Sequence, residues 1–99
     1  MMQITWDPEK ERRNLRKHGL DFSFAKAVFL DPLAVTVFDR AVGSEERWHT
    51  VGAAAGGPVF KLVLVVHAYP DPDDDRWIRI ISLRAASTRE RRHYENLGD

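Results

Sequence analysis

Ninety-nine residues, 43% hydrophobic and 30% charged, describe one globular domain spanning 1–99, too short for two cores and too apolar for disorder. Fifteen Lys+Arg balance fifteen Asp+Glu, which argues against a uniformly basic nucleic-acid binder. Cysteine is absent, which removes disulfides, thiolate nucleophiles and cysteine-ligated zinc.

The first element is a helix. Asp7-Pro8 pairs a capping side chain with proline at the first helical position, and Gly19 closes the helix after Lys17-His18. Leu15 is its one large apolar residue, so Trp6 and Leu20 at the flanks must anchor it. Asp21 then caps a second helix over 22–30, where Phe22, Ala25, Val28 and Phe29 form an apolar face and Asp31-Pro32 stops it. Four strands follow, at 33–39, 47–53, 59–69 and 76–84, with turns at Gly43-Ser44 and Gly56-Gly57-Pro58. The acidic segment Pro70–Asp75 reads as a solvated hairpin tip. Ser87-Thr88-Arg89-Glu90 is a capping box opening a last helix that runs to about Leu97. The expected fold is α+β, in the order ααββββα, with a four-stranded, mainly antiparallel sheet.

The neutral total hides an uneven distribution. Residues 8–18 hold five Lys/Arg against two Glu, and residues 84–93 four Arg against one Glu, a local +3 in each. The compensating charge gathers at Asp71, Asp73, Asp74 and Asp75, so the field differs between ends of the molecule. Lys10, Arg13 (or Asn14) and Lys17 recur at helical spacing and form a stripe that suits phosphates or, equally, a solvated face. His18 sits where a helix dipole favours its cation, beside Lys17, which opposes it. Strict alternation in the last strand sets Ile78, Ile80, Ser82 and Arg84 on one face and Trp77, Arg79, Ile81 and Leu83 on the other. Arg79 there needs an anion or a carboxylate partner, for which Glu46 is the candidate. His67 in the central strand and Tyr94 in the last helix fit either core or site. The four histidines never fall at metal-ligand spacing, so no metal or cofactor is expected.

One set of residues carries a resemblance. Trp6-Asp7-x-x-Lys10 and Asn14-x-x-Lys17-His18-Gly19-Leu20-x-Phe22 resemble the opening of the BrnT toxin family. The likeness continues through Asp31-Pro32, Glu46-Arg47 with Gly52, and Val63 to His67. It ends in Arg79-Ile80-Ile81-Ser82-x-Arg84-x-Ala86-x-x-x-Glu90-Arg91-Arg92-x-Tyr94-Glu95. Leu83 stands where the family often has alanine. The resemblance implies a RelE-like ribonuclease toxin of a type II toxin–antitoxin system. Its implied partners are RNA and a BrnA-type ribbon-helix-helix antitoxin, with DNA reached only through that antitoxin.

A ribonuclease without metal uses the substrate's own 2′-hydroxyl as nucleophile, so it needs a base, an acid and cations on the transition state. The expected catalytic set is Lys17, His18, Glu46, Arg79 and Arg84. The two arginines clamp the phosphate, His18 donates the proton and Glu46 is the candidate base. Lys10, Arg13, Asn14, Arg47, His67, Arg91 and Tyr94 are the candidates for RNA contact. The competing expectation is an inactive module that acts with its antitoxin as a DNA co-repressor. No apolar run reaches the ~20 residues of a membrane span. Met1-Met2-Gln3 begins no signal-like pattern, so a cytoplasmic location without membrane contact is expected.

Overall fold

The computed structural model describes residues 2–56 and 59–96. Its elements are β1 (Gln3–Trp6), α1 (Pro8–His18), α2 (Phe24–Leu30), β2 (Val35–Val42), β3 (Glu45–Gly56), β4 (Val59–Ala68), β5 (Trp77–Ala85) and α3 (Thr88–Asn96). The strands form one mixed sheet in the order β1-β5-β4-β3-β2, with β1 parallel to β5 and all other pairs antiparallel. The expected class is α+β and so is the fold, but the sheet has five strands, not four. The extra strand, Gln3–Trp6, has no hairpin partner nearby, because it pairs with residues 77–80. The expected turn at Gly57-Pro58 and the helix end near Leu97 lie outside the described residues. Among those described, no helix is long and apolar enough to cross a membrane.

The helix boundaries follow from local chemistry. Asp7 accepts the Glu9 amide at 3.0 Å, and Gly19, at φ +72°, returns its amide to the Leu15 carbonyl at 2.8 Å. α2 starts later than expected, because Asp21 turns the chain by accepting the Ser23 amide at 2.9 Å instead of capping Phe22. Phe22 therefore lies before the helix, fully buried, with its amide donated to Glu11 of α1 at 3.0 Å. That bond ties the two helices together. β2 is also displaced toward the C-terminus, since the Leu33 and Ala34 amides are taken by Asp31 in a turn.

Phe22, Ala25 and Val28 pack with Val63, Val65, Ile78, Ile80 and Leu83, making the core between the two helices and one sheet face. Gly52 lets α2 approach this closely: a Cβ there would lie 2.8 Å from the Val28 carbonyl oxygen. α3 covers part of the opposite face. Its Tyr94 hydroxyl donates to Asp31 at 2.6 Å, and Asp31 also accepts the Ala53 amide at 2.8 Å. Burial raises the Asp31 carboxyl, but these bonds outweigh it and hold the group below its ordinary range. Asp31 thus joins the end of α2, strand β3 and helix α3.

Candidate active site

Two β-bulges build the open face of the sheet. On β5, Ser82 opposes Val66 and Ile80 opposes His67, so Ile81 has no partner. An unpaired residue reverses the alternation, and Leu83 joins Ile78 and Ile80 in the core. The expected face assignment therefore fails beyond Ile80. Arg79, opposite Ala68, and Arg84, opposite Leu64, come to the same side, the one away from the α1–α2 core. Four residues of β4 separate their partners, roughly 13 Å at strand rise, and each guanidinium is turned to its own carboxylate, Arg79 to Glu45 and Arg84 to Glu90.

On β2, Phe38 opposes Trp48 and Arg40 opposes Arg47, leaving Asp39 unpaired. The bulge turns its carboxylate to His49, whose Nε2 lies 3.2 Å from Oδ2. His49 opposes Val66, and Val66 opposes Ser82, so the imidazole stands in a row between those of Arg79 and Arg84. Asp39 and His49 form one wall of a groove of about 740 Å³, and Arg89, Glu90 and His93 of α3 line the other. Sequence reading missed His49 and Asp39. The signal was the alternation of Arg47, His49 and Val51, which already places the histidine beside a cation on one strand face.

Each arginine has a carboxylate. Arg79 bonds Glu45, which also faces Arg47 at 3.5 Å, rather than the expected Glu46. The hydrogen bond from Arg79 holds the Glu45 carboxyl below its ordinary range, although partial burial raises it. The reason for the exchange of partners is register. Glu45 and Glu46 are adjacent on a strand and point to opposite sides. Arg84 forms a two-pronged pair with Glu90, both bonds at 2.8 Å, and this holds the carboxyl down to about 2. Glu90 also accepts the Ser87 amide at 2.8 Å while Ser87 Oγ accepts the Glu90 amide at 3.2 Å, the expected capping box.

The remaining candidates separate. Lys10, Arg13, Lys17 and His18 line a groove of about 350 Å³ with Ile81 and Ser82 along the edge of β5 left open beyond β1. His18 also lines a second hollow with Arg91, away from His49. Glu46 is exposed near the β2–β3 turn, opposite Ala41. Three candidates for RNA contact turn out to be spent on the fold. Asn14 is 6% exposed, and its amide is consumed by the backbone of Leu20 and Leu83. His67 is fully buried, bonds Thr50 at 2.7 Å and is held by that burial, with His49 adding to it, down to about 4. Tyr94 gives its hydroxyl to Asp31; burial first and that carboxylate second push its phenol up to about 12.

A face carrying a carboxylate-held histidine among arginines, beside a groove, suits the binding and cleavage of a phosphodiester. No curated protein matches the chain. Residues 6–90 match the model of the family described as ribonuclease toxin, BrnT, of type II toxin–antitoxin system, and the chain belongs to that family.

Proposed function

We propose that the chain cuts RNA without a metal, by attack of the substrate's 2′-hydroxyl on the adjacent phosphate, at the sheet face around His49. The observation that carries this reading is the Asp39–His49 pair standing between the rows of Arg79 and Arg84. Nε2 of His49 faces the Asp39 carboxylate at 3.2 Å, which leaves Nδ1 as the nitrogen that takes the proton from the 2′-hydroxyl. His93, on the opposite wall of the groove, supplies a proton to the leaving 5′-oxygen. The product is a 2′,3′-cyclic phosphate, and the proton balance closes between the two imidazoles.

The arginines stabilise the charge that develops on the phosphorane. With their strand positions roughly 13 Å apart and their side chains held by different carboxylates, they suit two different phosphates of one strand. Arg79, whose carboxylate is shared with Arg47, faces the reacting phosphate, and Arg84 steadies a neighbour. Lys10, Arg13, Lys17, His18 and Arg91 extend the cationic track along the edge of the sheet, where counterion release adds affinity without sequence preference. A BrnA-type antitoxin that covers this track and the groove stops cleavage and relieves growth arrest, since inhibitor and RNA then compete for one charged surface.

The test is cleavage of an unstructured RNA by the purified chain in excess EDTA, with the product ends identified. Cyclic phosphate ends, and a loss of ~10²-fold or more in His49→Ala, are expected. Asp39→Asn should fall less far, because the imidazole keeps its place and loses only its orienting charge. Activity that vanishes with chelator and returns with magnesium would overturn the mechanism. A well-folded chain that cuts nothing would leave the co-repressor reading in its place.

A further inference from the structure

Another hollow, of about 420 Å³, opens beside Arg79 at the end of the sheet. Its size falls in the range of small-molecule clefts, about 300–1,000 Å³. Trp48 and Tyr69 form its aromatic wall, with ring centroids 5.8 Å apart and planes inclined by 64°. Phe38 backs Trp48 at 5.4 Å, and His67 backs Tyr69 at 5.2 Å, so both rings are held by neighbours behind them. Glu45 and Glu46 both line this hollow, but their states differ. Glu45 is tied to Arg79 and Arg47, whereas Glu46 makes no hydrogen bond or ion pair among the described residues. The hollow therefore offers ring surface, an arginine at its border and two uncommitted carboxylates, Glu46 and Asp75, of which Glu46 shares a strand face with Trp48.

We propose that this hollow takes a guanine base of the RNA, its ring against Trp48 and Tyr69, its Watson–Crick edge on Glu46 and its phosphate toward Arg79. The inference rests on the ribonuclease reading above and adds the base that the site selects. The chemistry of the edge decides between bases. A carboxylate has two acceptor oxygens and no donor. Guanine alone presents two adjacent donors, N1–H and the N2 amino group, and so matches both oxygens in a charge-assisted fork. Adenine and cytosine offer one amino group beside a ring-nitrogen acceptor, and uracil offers one N–H between two carbonyls. Each of these sets a lone pair against the carboxylate. A base is uncharged, so Asp75 and the other carboxylates around the hollow do not oppose its entry as they would a second phosphate. Single-stranded RNA is read in this way, by stacking on aromatic side chains and hydrogen bonds to an exposed edge.

The experiment measures binding of the four nucleoside 5′-monophosphates to the purified chain by calorimetry, with cut sites mapped on a mixed-sequence RNA. Guanosine monophosphate should bind at least ~10-fold more tightly than the other three, the discrimination of a good two-bond edge contact. Inosine monophosphate, which lacks the N2 amino group, should fall between. Glu46→Gln should erase the preference both in binding and in the position of cuts, because an amide presents only one acceptor. RNA cleavage by the parent chain with equal binding of all four nucleotides would overturn the guanine site and leave the ribonuclease reading intact. Selective guanosine binding by a chain that cuts no RNA would support the pocket and count against that reading. Nucleotide indifference together with capture of arginine amide by the same hollow would mark it as a protein-docking pocket and overturn the proposal.

Discussion

The side-chain amide of Asn14 pairs with both backbone groups of Leu83, 69 positions away. Its Nδ2 donates to the Leu83 carbonyl at 2.8 Å, and its Oδ1 accepts the Leu83 amide at 2.9 Å. β1 pairs with β5 only as far as Ile80, so Leu83 would otherwise show a bare edge. Asn14 replaces the missing strand with one planar amide, and a further bond to the Leu20 carbonyl at 3.0 Å fixes the end of α1. Asn14→Ala leaves three buried backbone groups without partners, at about 1–3 kcal/mol each before water relieves some of them. A fall in Tm of roughly 10 °C or more is expected, measured by thermal unfolding. Asn14→Asp keeps the acceptor and loses the donors, so it should destabilise as well.

Gly52 tests the approach of α2 to the sheet. Gly52→Ala pushes a methyl into the Val28 carbonyl and its side chain, at 2.8 and 2.9 Å, with Ala34 at 3.3 Å behind them. Backbone and core must shift, at a cost of about 1–3 kcal/mol. The clash lies on the core side, away from His49. Thermal unfolding should show the loss, while cleavage per folded molecule stays at the parent level.

The two largest shifts contribute to the acid limb of stability in adjacent windows. His67 has its folded value lowered from 6.5 to about 4, so the unfolded chain binds a proton that the folded chain refuses. Stability therefore falls as pH drops from 6.5 to 4, by on the order of 3 kcal/mol. Glu90 is lowered from 4.5 to about 2 by Arg84, so its contribution is whole above 4.5 and lost toward 2. Denaturant unfolding as a function of pH should show His67→Gln flattening the upper window only. Glu90→Gln should flatten the lower one only. Equal slopes in His67→Gln and parent between pH 6.5 and 4 would show that the imidazole is charged in the fold.

The two arginines should separate when each is changed to lysine. Arg79 and Glu45 are both about a third exposed, so their pair is weak support for the fold. Under the proposed mechanism, Arg79→Lys should leave Tm nearly unchanged and lower cleavage by ~10²-fold, since lysine cannot offer a phosphate the same fork. Arg84→Lys breaks the two-pronged pair that holds the first turn of α3, so Tm should fall along with activity. Measuring both quantities on each variant tells the roles apart. Full activity in Arg79→Lys would remove it from the reacting phosphate.

Where a feature depends on neighbours in the chain, residue order alone determined it. Asp7, Pro8 and Gly19 bound α1, and the Ser87–Glu90 capping box opens α3, because a cap needs only groups two to four residues away. The apolar face of α2 and the strands from Val35 to Ala85 were readable from periodicity, and the family was readable from motifs spread along the chain. Tertiary pairing decided the rest. β1 exists because residues 77–80 provide an edge for it, and no local pattern records that edge. The bulges at Asp39 and Ile81 are choices of register between strands. One residue left unpaired turns every later side chain to the other face, so strict alternation put Arg79 and Arg84 on opposite sides of a sheet that carries both on one face. Burial, too, is a property of the packed molecule. Asn14 and His67 have the chemistry of a site, and the fold uses it on its own backbone and on Thr50. His49 became visible only when a second bulge brought Asp39 to its ring, because a dyad is a distance between strands before it is a pattern in a chain.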